Sequence, residues 1–200
     1  MKQQQEKYDY TAAILAGGKN SRFSGRTKAK IIIDGRPVIE RTIEVLKAVF
    51  NDIVIITNNE SEFSAYKHIR MAGDIYHNRG PLGGLHSALS NTDRDAVFLV
   101  ASDMPGISES IIRRQAAEYT ESECDALLPS HRALLEPLHA IYGKPLLTAL
   151  DSYLAESDKY AIRDFLKECR VKYFELADIE KQNVFININT QEDLDAYLNT

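Results

Sequence analysis

Cysteine is scarce in this sequence. Cys124 and Cys169 stand far apart and form no C-x-x-C pair, which excludes a disulfide framework and a paired-thiol redox or metal motif. Long apolar runs are missing as well: none approaches the ~18 residues needed to cross a bilayer. The first nine residues, MKQQQEKYD, are polar, are expected to fray, and lack the apolar core of a secretory signal. There is no general excess of basic charge. The net charge is -5 and the pI about 5.6, which argues against a nucleic-acid-binding surface. No Ser/His/Asp or Cys/His arrangement stands out, and the five histidines do not cluster at metal-ligand spacing. With no repeat, low-complexity tract or linker, the 200 residues are expected to form one cytoplasmic domain, 1–200, with reduced thiols.

Carboxylates are absent from one particular stretch. Between Thr11 and Ile33 there is no Asp or Glu, yet there are five cationic residues: Lys19, Arg22, Arg26, Lys28 and Lys30. In an acidic chain, a wholly cationic stretch gathers polyanions locally. It follows a short apolar run and contains Gly17 and Gly18, which let backbone N–H groups approach phosphate oxygens without a Cβ in the way. The segment LAGGKNSRF with Lys28 therefore reads as a loop for a nucleoside triphosphate. It is neither a Walker A loop nor a G-x-G-x-x-G fingerprint, whose spacings are both absent.

Short apolar runs alternate with amphipathic ones, the pattern of β-α units wound into a mostly parallel sheet. Strands are expected at Ala12–Leu15, Ile53–Thr57 and Ala96–Ala101, with helices at Pro37–Phe50, Leu82–Leu89 and Glu109–Tyr119, the last with Ser108 as N-cap. In the second half, strands are expected at Cys124–Pro129, Pro137–Tyr142, Val171–Leu176 and Val184–Ile188. Helices are expected at Pro145–Ala155, Ala161–Cys169 and Gln191–Leu198.

In an open α/β sheet, ligands bind beyond the carboxyl ends of the strands. One such end is occupied by the cationic loop. Another carries Ser102-Asp103-Met104-Pro105, where an apolar strand delivers a carboxylate suited to Mg²⁺, an ion held at phosphoryl-transfer sites by one or two carboxylates plus substrate phosphates. GPLGGLHSAL places Gly80, Gly83 and Gly84 at a helix start, where a nucleoside could pack against bare backbone or where the helix could approach the sheet closely. His139 alternates with apolar neighbours and reads as core or pocket wall, while His77 and His86 read as surface residues. Arg163 and Lys167, four apart, read as a solvated charged face.

Together, LAGGKNSRF with Lys28, GPLGGLHSAL, a strand ending in SDMP, EPLHAIY and FININTQEDL resemble the molybdenum cofactor guanylyltransferases, the MobA family of the nucleotidyltransferase superfamily, from Ala13 to Leu198. The resemblance implies a three-layer α/β/α Rossmann-like nucleotidyltransferase fold with a mostly parallel mixed sheet. It implies transfer of GMP from GTP to the terminal phosphate of molybdenum-molybdopterin, with Mg²⁺ as cofactor and other maturation proteins of that cofactor as partners. By resemblance, the backbone of Leu15, Ala16, Gly17 and Gly18 cradles the nucleotide, and Lys28 and Arg22 face its phosphates. Thr57, Asp74, Gly80 and Gly83 line the nucleoside pocket, and Asp103 and Asn189 hold the metal. Arg22, Lys28 and Asp103 are the candidate catalytic residues.

The sequence departs from the family where Thr27 replaces the usual aspartate before the lysine, and Ala29-Lys30 follow it in place of small residues. Sugar-nucleotide enzymes favour a G-x-G-T-R start and a proline before the lysine, and Ser21 and Thr27 occupy those places. Two alternatives stay open: a cytidylyltransferase or other small nucleotidyltransferase with a different phosphate acceptor, and a nucleotide-binding regulatory protein without turnover.

Overall fold

The computed structural model describes residues 6–17, 22–23, 26–131, 134–176 and 184–199. Side chains at 22, 23, 26 and 131 are outside that description. Eight strands form one sheet: β1 (Tyr8–Leu15), β2 (Phe50–Ile56), β3 (Arg70–Ala72), β4 (Ala96–Ala101), β5 (Ala126–His131), β6 (Leu134–Leu135), β7 (His139–Gly143) and β8 (Val171–Glu175). The path runs β6-β5-β7-β4-β1-β2-β3, and β8 pairs with β5. β1 lies parallel to both β2 and β4, β2 to β3, and β8 to β5. β7 runs antiparallel to β4 and β5, which makes the sheet mixed.

The central strands are apolar on both faces because both faces are covered. Ala12 and Ile14 of β1 join Ile53, Ile55, Phe98 and Val100 beneath α1 (Val38–Val49) and α3 (Glu109–Thr120). Ala13 turns the other way, with Val54, Ile56, Val97 and Leu99. They pack against α2 (Gly80–Ser90), α4 (Leu146–Glu156) and α5 (Ile162–Phe165). In α1, Val38, Ile39, Thr42, Ile43, Leu46 and Val49 form the buried stripe, at the spacing of one helical face. The architecture is thus helices, sheet, helices. A last helix, α6 (Gln191–Leu198), sets Leu194 and Tyr197 against Ile31, Ile33, Val38 and Ile188.

Four expectations need correction. Tyr8 and Asp9 belong to β1 and do not fray, since β1 follows β2 back to the Tyr8↔Phe50 pair. Val184–Ile188 is no strand: Val184, Phe185 and Ile188 are buried like strand residues, but the Ile188 N–H bonds to the Asp103 carbonyl, 2.9 Å away, and joins no ladder. The expected helix Ala161–Cys169 is a single α turn, α5, continued by a 3₁₀ turn over Leu166–Glu168. Ser108 precedes α3 but caps no N–H group, because its hydroxyl pairs with that of Ser110, 2.9 Å away.

Candidate active site

The loops after β1, β2, β3 and β4 meet at one edge of the sheet, where backbone bonds tie them together. The Ala16 N–H bonds to the Ile56 carbonyl at 2.9 Å, the Thr57 N–H to that of Ala72 at 2.8 Å, and the Ser102 N–H to that of Leu15 at 3.1 Å. These bonds continue the ladders just past the strand ends. Leu15, Ala16, Gly17, Thr57 and Ser102-Asp103 are thereby fixed beside one another.

Lys28 lies in a 3₁₀ turn, Lys28–Lys30, and is buried, which is unusual for a lysine and calls for paired charge. Its Nζ stands 3.7 Å from Asp103 Oδ2 and donates to Asn189 Oδ1 at 2.5 Å. Three residues separated by 75 and more positions in the chain thus converge on one ammonium group. Burial pushes the Asp103 carboxyl above the ordinary carboxylate range, and the neighbouring Lys28 charge pulls it partly back.

Asn189 is positioned from behind. Asp193 Oδ2 accepts from the backbone N–H of Asn189 at 2.8 Å and of Thr190 at 2.9 Å, and Thr190 Oγ1 accepts from the Asp193 N–H at 3.2 Å. This capping box starts α6 and holds the Asp193 carboxyl below its usual range, first through those backbone bonds. The Thr-x-x-Asp spacing is a signal the sequence already carried. The Ile188 bond to the Asp103 carbonyl closes the C-terminal segment onto the loop after β4.

Asp74 is locked to Asn58 by a reciprocal pair: Asn58 Nδ2 donates to Asp74 Oδ2, and the Asp74 N–H donates to Asn58 Oδ1, both at 2.8 Å. Asn58, immediately after Thr57, was not among the expected site residues, although its place just past a strand end could have marked it. Thr57 is buried, and its hydroxyl accepts from the Asn59 N–H at 3.1 Å. Thr27 donates to the Glu62 carboxylate, and Asn59 Nδ2 donates to the other oxygen of that group at 2.9 Å. A carboxylate from a distant turn therefore stands beside Thr27. Lys30 places its ammonium 5.6 Å from the centre of the Phe63 ring.

The glycines differ in what demands them. A Cβ on Gly17 would meet only ordinary contacts, the nearest at 3.6 Å, so packing does not demand glycine there. Gly83 and Gly84 lie inside α2, which begins at Gly80, earlier than expected. A Cβ on Gly83 would come within 2.8 Å of the Tyr76 carbonyl oxygen, and one on Gly84 within 2.8 Å of Leu15 Cδ2. Of the two roles open to these glycines, close packing accounts for both. Gly80 has φ +57° and forms the turn into the helix. Gly18 and the Arg22 side chain lie outside the described residues.

His139 is fully buried between the rings of Phe98 and Phe185, each 5.1 Å away, and burial lowers its pKa to about 4. It is a core residue. His86, expected at the surface, is buried on α2 and bonds Asp151 at 2.7 Å. Arg163 donates to the Leu135 carbonyl at 2.9 Å, and Lys167 pairs with Asp164. Among the described residues no group of three or more His, Cys, Asp or Glu could hold a metal by itself, and no helix is long and apolar enough to cross a membrane.

The family model described as "MobA-like NTP transferase domain" matches residues 12–173. The chain belongs to this family. A relative from Peptoclostridium acidaminophilum named "Probable molybdenum cofactor guanylyltransferase" is 33% identical, with 94% of this chain and 87% of the relative covered. A "Molybdenum cofactor guanylyltransferase" from Vibrio vulnificus is 32% identical over 92% of each chain. Among solved structures, molybdopterin-guanine dinucleotide biosynthesis protein A from Archaeoglobus fulgidus superposes with a TM-score of 0.80 at 25% identity, covering 94% of this chain and 97% of that one. The chain is a nucleotidyltransferase with the mixed, mostly parallel sheet of this family.

Proposed function

We propose that this chain transfers GMP from GTP to the terminal phosphate of molybdenum-molybdopterin, giving molybdopterin guanine dinucleotide and pyrophosphate. The observation that carries this reading is the meeting of Lys28, Asp103 and Asn189 at the carboxyl edge of the sheet, in a chain whose relatives bear that activity in their names.

The attacking group is a phosphate monoester, with a second pKa of ~6, so it is largely dianionic at neutral pH and needs no general base. An oxygen of that phosphate attacks the α-phosphorus of GTP, the bond to the β-phosphate bridging oxygen breaks, and its electron pair leaves with pyrophosphate. What the protein must do is hold two anions in line and neutralise the charge that develops on the leaving group. Lys28 supplies positive charge there, joined by Arg22 in this reading. The backbone at Leu15 to Gly18 holds the phosphates. Thr57, Asp74 and Gly80 line the nucleoside side, with Asn58 bracing Asp74, while Gly83 lets the helix pack close against the Tyr76 carbonyl.

The donor set fits Mg²⁺. One carboxylate and one amide oxygen, both hard ligands, already converge on a single cation, the Lys28 ammonium. Asp103 and Asn189 would hold the metal, which would supply positive charge to the triphosphate. A cytoplasmic location fits this reading and the two free cysteines.

The test is incubation with Mg²⁺, molybdenum-molybdopterin and an equimolar mixture of GTP, CTP and ATP, followed by identification of the nucleotide on the pterin. The expected product carries GMP. CMP on the pterin would reassign the base, and no nucleotide on the pterin, with GTP bound but no pyrophosphate released, would make this a regulatory nucleotide binder.

A further inference from the structure

The segment from Gly73 to Gly80 carries Asp74 and leads into α2, yet it is short of regular structure and contains two left-handed residues, Asn78 at φ 61° and Gly80 at φ 57°. A segment of that kind holds its shape only if its surroundings impose it. From below, the Ser87 hydroxyl donates to the Gly73 carbonyl at 2.6 Å. Outward, the segment is clasped by α4 and the turn that follows it.

Asp151 of α4 is the centre of that clasp. Its Oδ1 lies 2.7 Å from His86 Nε2 and accepts from the Tyr76 hydroxyl at 3.4 Å. A carboxylate oxygen only accepts, so Nε2 carries the hydrogen, which leaves His86 Nδ1 buried with no partner. The Tyr76 and His86 rings meet edge to face, 4.8 Å between centres and 89° between planes. A second contact lies three residues on: Arg79 donates to the Tyr160 hydroxyl, and its guanidinium stands 4.1 Å from the centre of that ring. Asp151 is half exposed while His86 is almost wholly buried.

We propose that Asp151, acting through His86 and Tyr76 and aided by Tyr160 through Arg79, is a positioning residue that sets the Gly73–Gly80 segment, and with it Asp74, for nucleoside binding. The inference rests on the reading above that this segment faces the nucleoside. It assigns the helices of the second half a part in nucleotide recognition without contact to substrate.

The experiment is steady-state pyrophosphate release by Asp151→Ala, Asp151→Asn and Tyr160→Phe, varying GTP and molybdenum-molybdopterin separately, with thermal midpoints measured without nucleotide. Asp151→Ala should raise KM for GTP at least fivefold, with kcat within twofold of wild type and KM for the pterin unchanged. Asp151→Asn keeps an oxygen acceptor for His86 and Tyr76 and should restore most of the affinity. Tyr160→Phe keeps the ring but not the hydroxyl and should raise KM for GTP by a smaller factor. An unchanged KM for GTP in Asp151→Ala overturns the proposal, as does a loss that falls equally on kcat and both KM values and follows the thermal midpoint. A wild-type chain with no saturable dependence on GTP would instead contradict the functional reading.

Discussion

Lys28 and Asp103 depend on each other before any substrate arrives. Each is largely buried, and removing either leaves the other charge without its ion-pair partner. In the proposed reaction their jobs diverge, Lys28 toward the leaving phosphates and Asp103 toward the metal. Lys28→Ala and Asp103→Ala should each lower turnover about a hundredfold, about 3 kcal/mol of transition-state stabilisation, with circular dichroism unchanged. His139 offers a prediction about stability. Its folded pKa of about 4 lies below the ordinary 6.5, so the stability it allows is present above pH 6.5 and is lost as the pH falls through that value toward 4. The loss amounts to about 3 kcal/mol when complete. His139→Phe removes two buried nitrogens that lack partners and should stabilise by about 1 kcal/mol at pH 7, flattening the acid limb in urea titrations at pH 7 and 5. Asp103 stood out in the sequence because an apolar run ends in a charged residue, and Lys28 because it lies in a cationic stretch with no carboxylate. His86 was not, because its partner is 65 residues away and nothing local marks it as buried.

The two glycines of α2 separate packing against backbone from packing against a side chain. Alanine at either gains about 1 kcal/mol of helix propensity over glycine. At Gly83 the new methyl meets the Tyr76 carbonyl at 2.8 Å and Arg79 Cβ at 3.1 Å, atoms that move only if the Gly73–Gly80 segment moves. Gly83→Ala should therefore destabilise by about 1–3 kcal/mol and raise KM for GTP. At Gly84 the obstacle is the tip of Leu15, which can rotate, so Gly84→Ala should fall within about 1 kcal/mol of wild type in the same denaturation series. The buried strands β1, β2 and β4 were legible because both of their faces are apolar. Strand β3, three residues with none fully buried, carries no such run, and the turn over Glu60–Tyr66 has only Phe63 and Tyr66 inside. Val184–Ile188 misled for the opposite reason: Val184, Phe185 and Ile188 are buried, but against side chains of two small clusters and not as rungs of the sheet.

The fold brings the two ends of the chain's logic to one edge. The first half supplies Lys28, the Asn58–Asp74 pair and Asp103, and the last sixteen described residues return to bring Ile188 to the Asp103 carbonyl and Asn189 to Lys28. That return path follows from two small clusters, Val184 and Phe185 with Ile111, Leu127 and Phe174, and Ile188 with Ile31, Ile33 and Val38. It also places a lysine where a metal ion would share the oxygens of Asp103 and Asn189, so divalent metal should bind the free protein weakly and should bind well once triphosphate draws the Lys28 ammonium away. Binding of Mn²⁺, read by electron paramagnetic resonance with and without a non-hydrolysable GTP analogue, tests this arrangement in wild type, Asp103→Ala and Asn189→Ala. Wild type should bind the metal at least tenfold more tightly in the presence of the nucleotide, with that gain lost in Asp103→Ala and partly lost in Asn189→Ala. Nucleotide-dependent Mn²⁺ binding of wild-type strength in Asp103→Ala would contradict that arrangement.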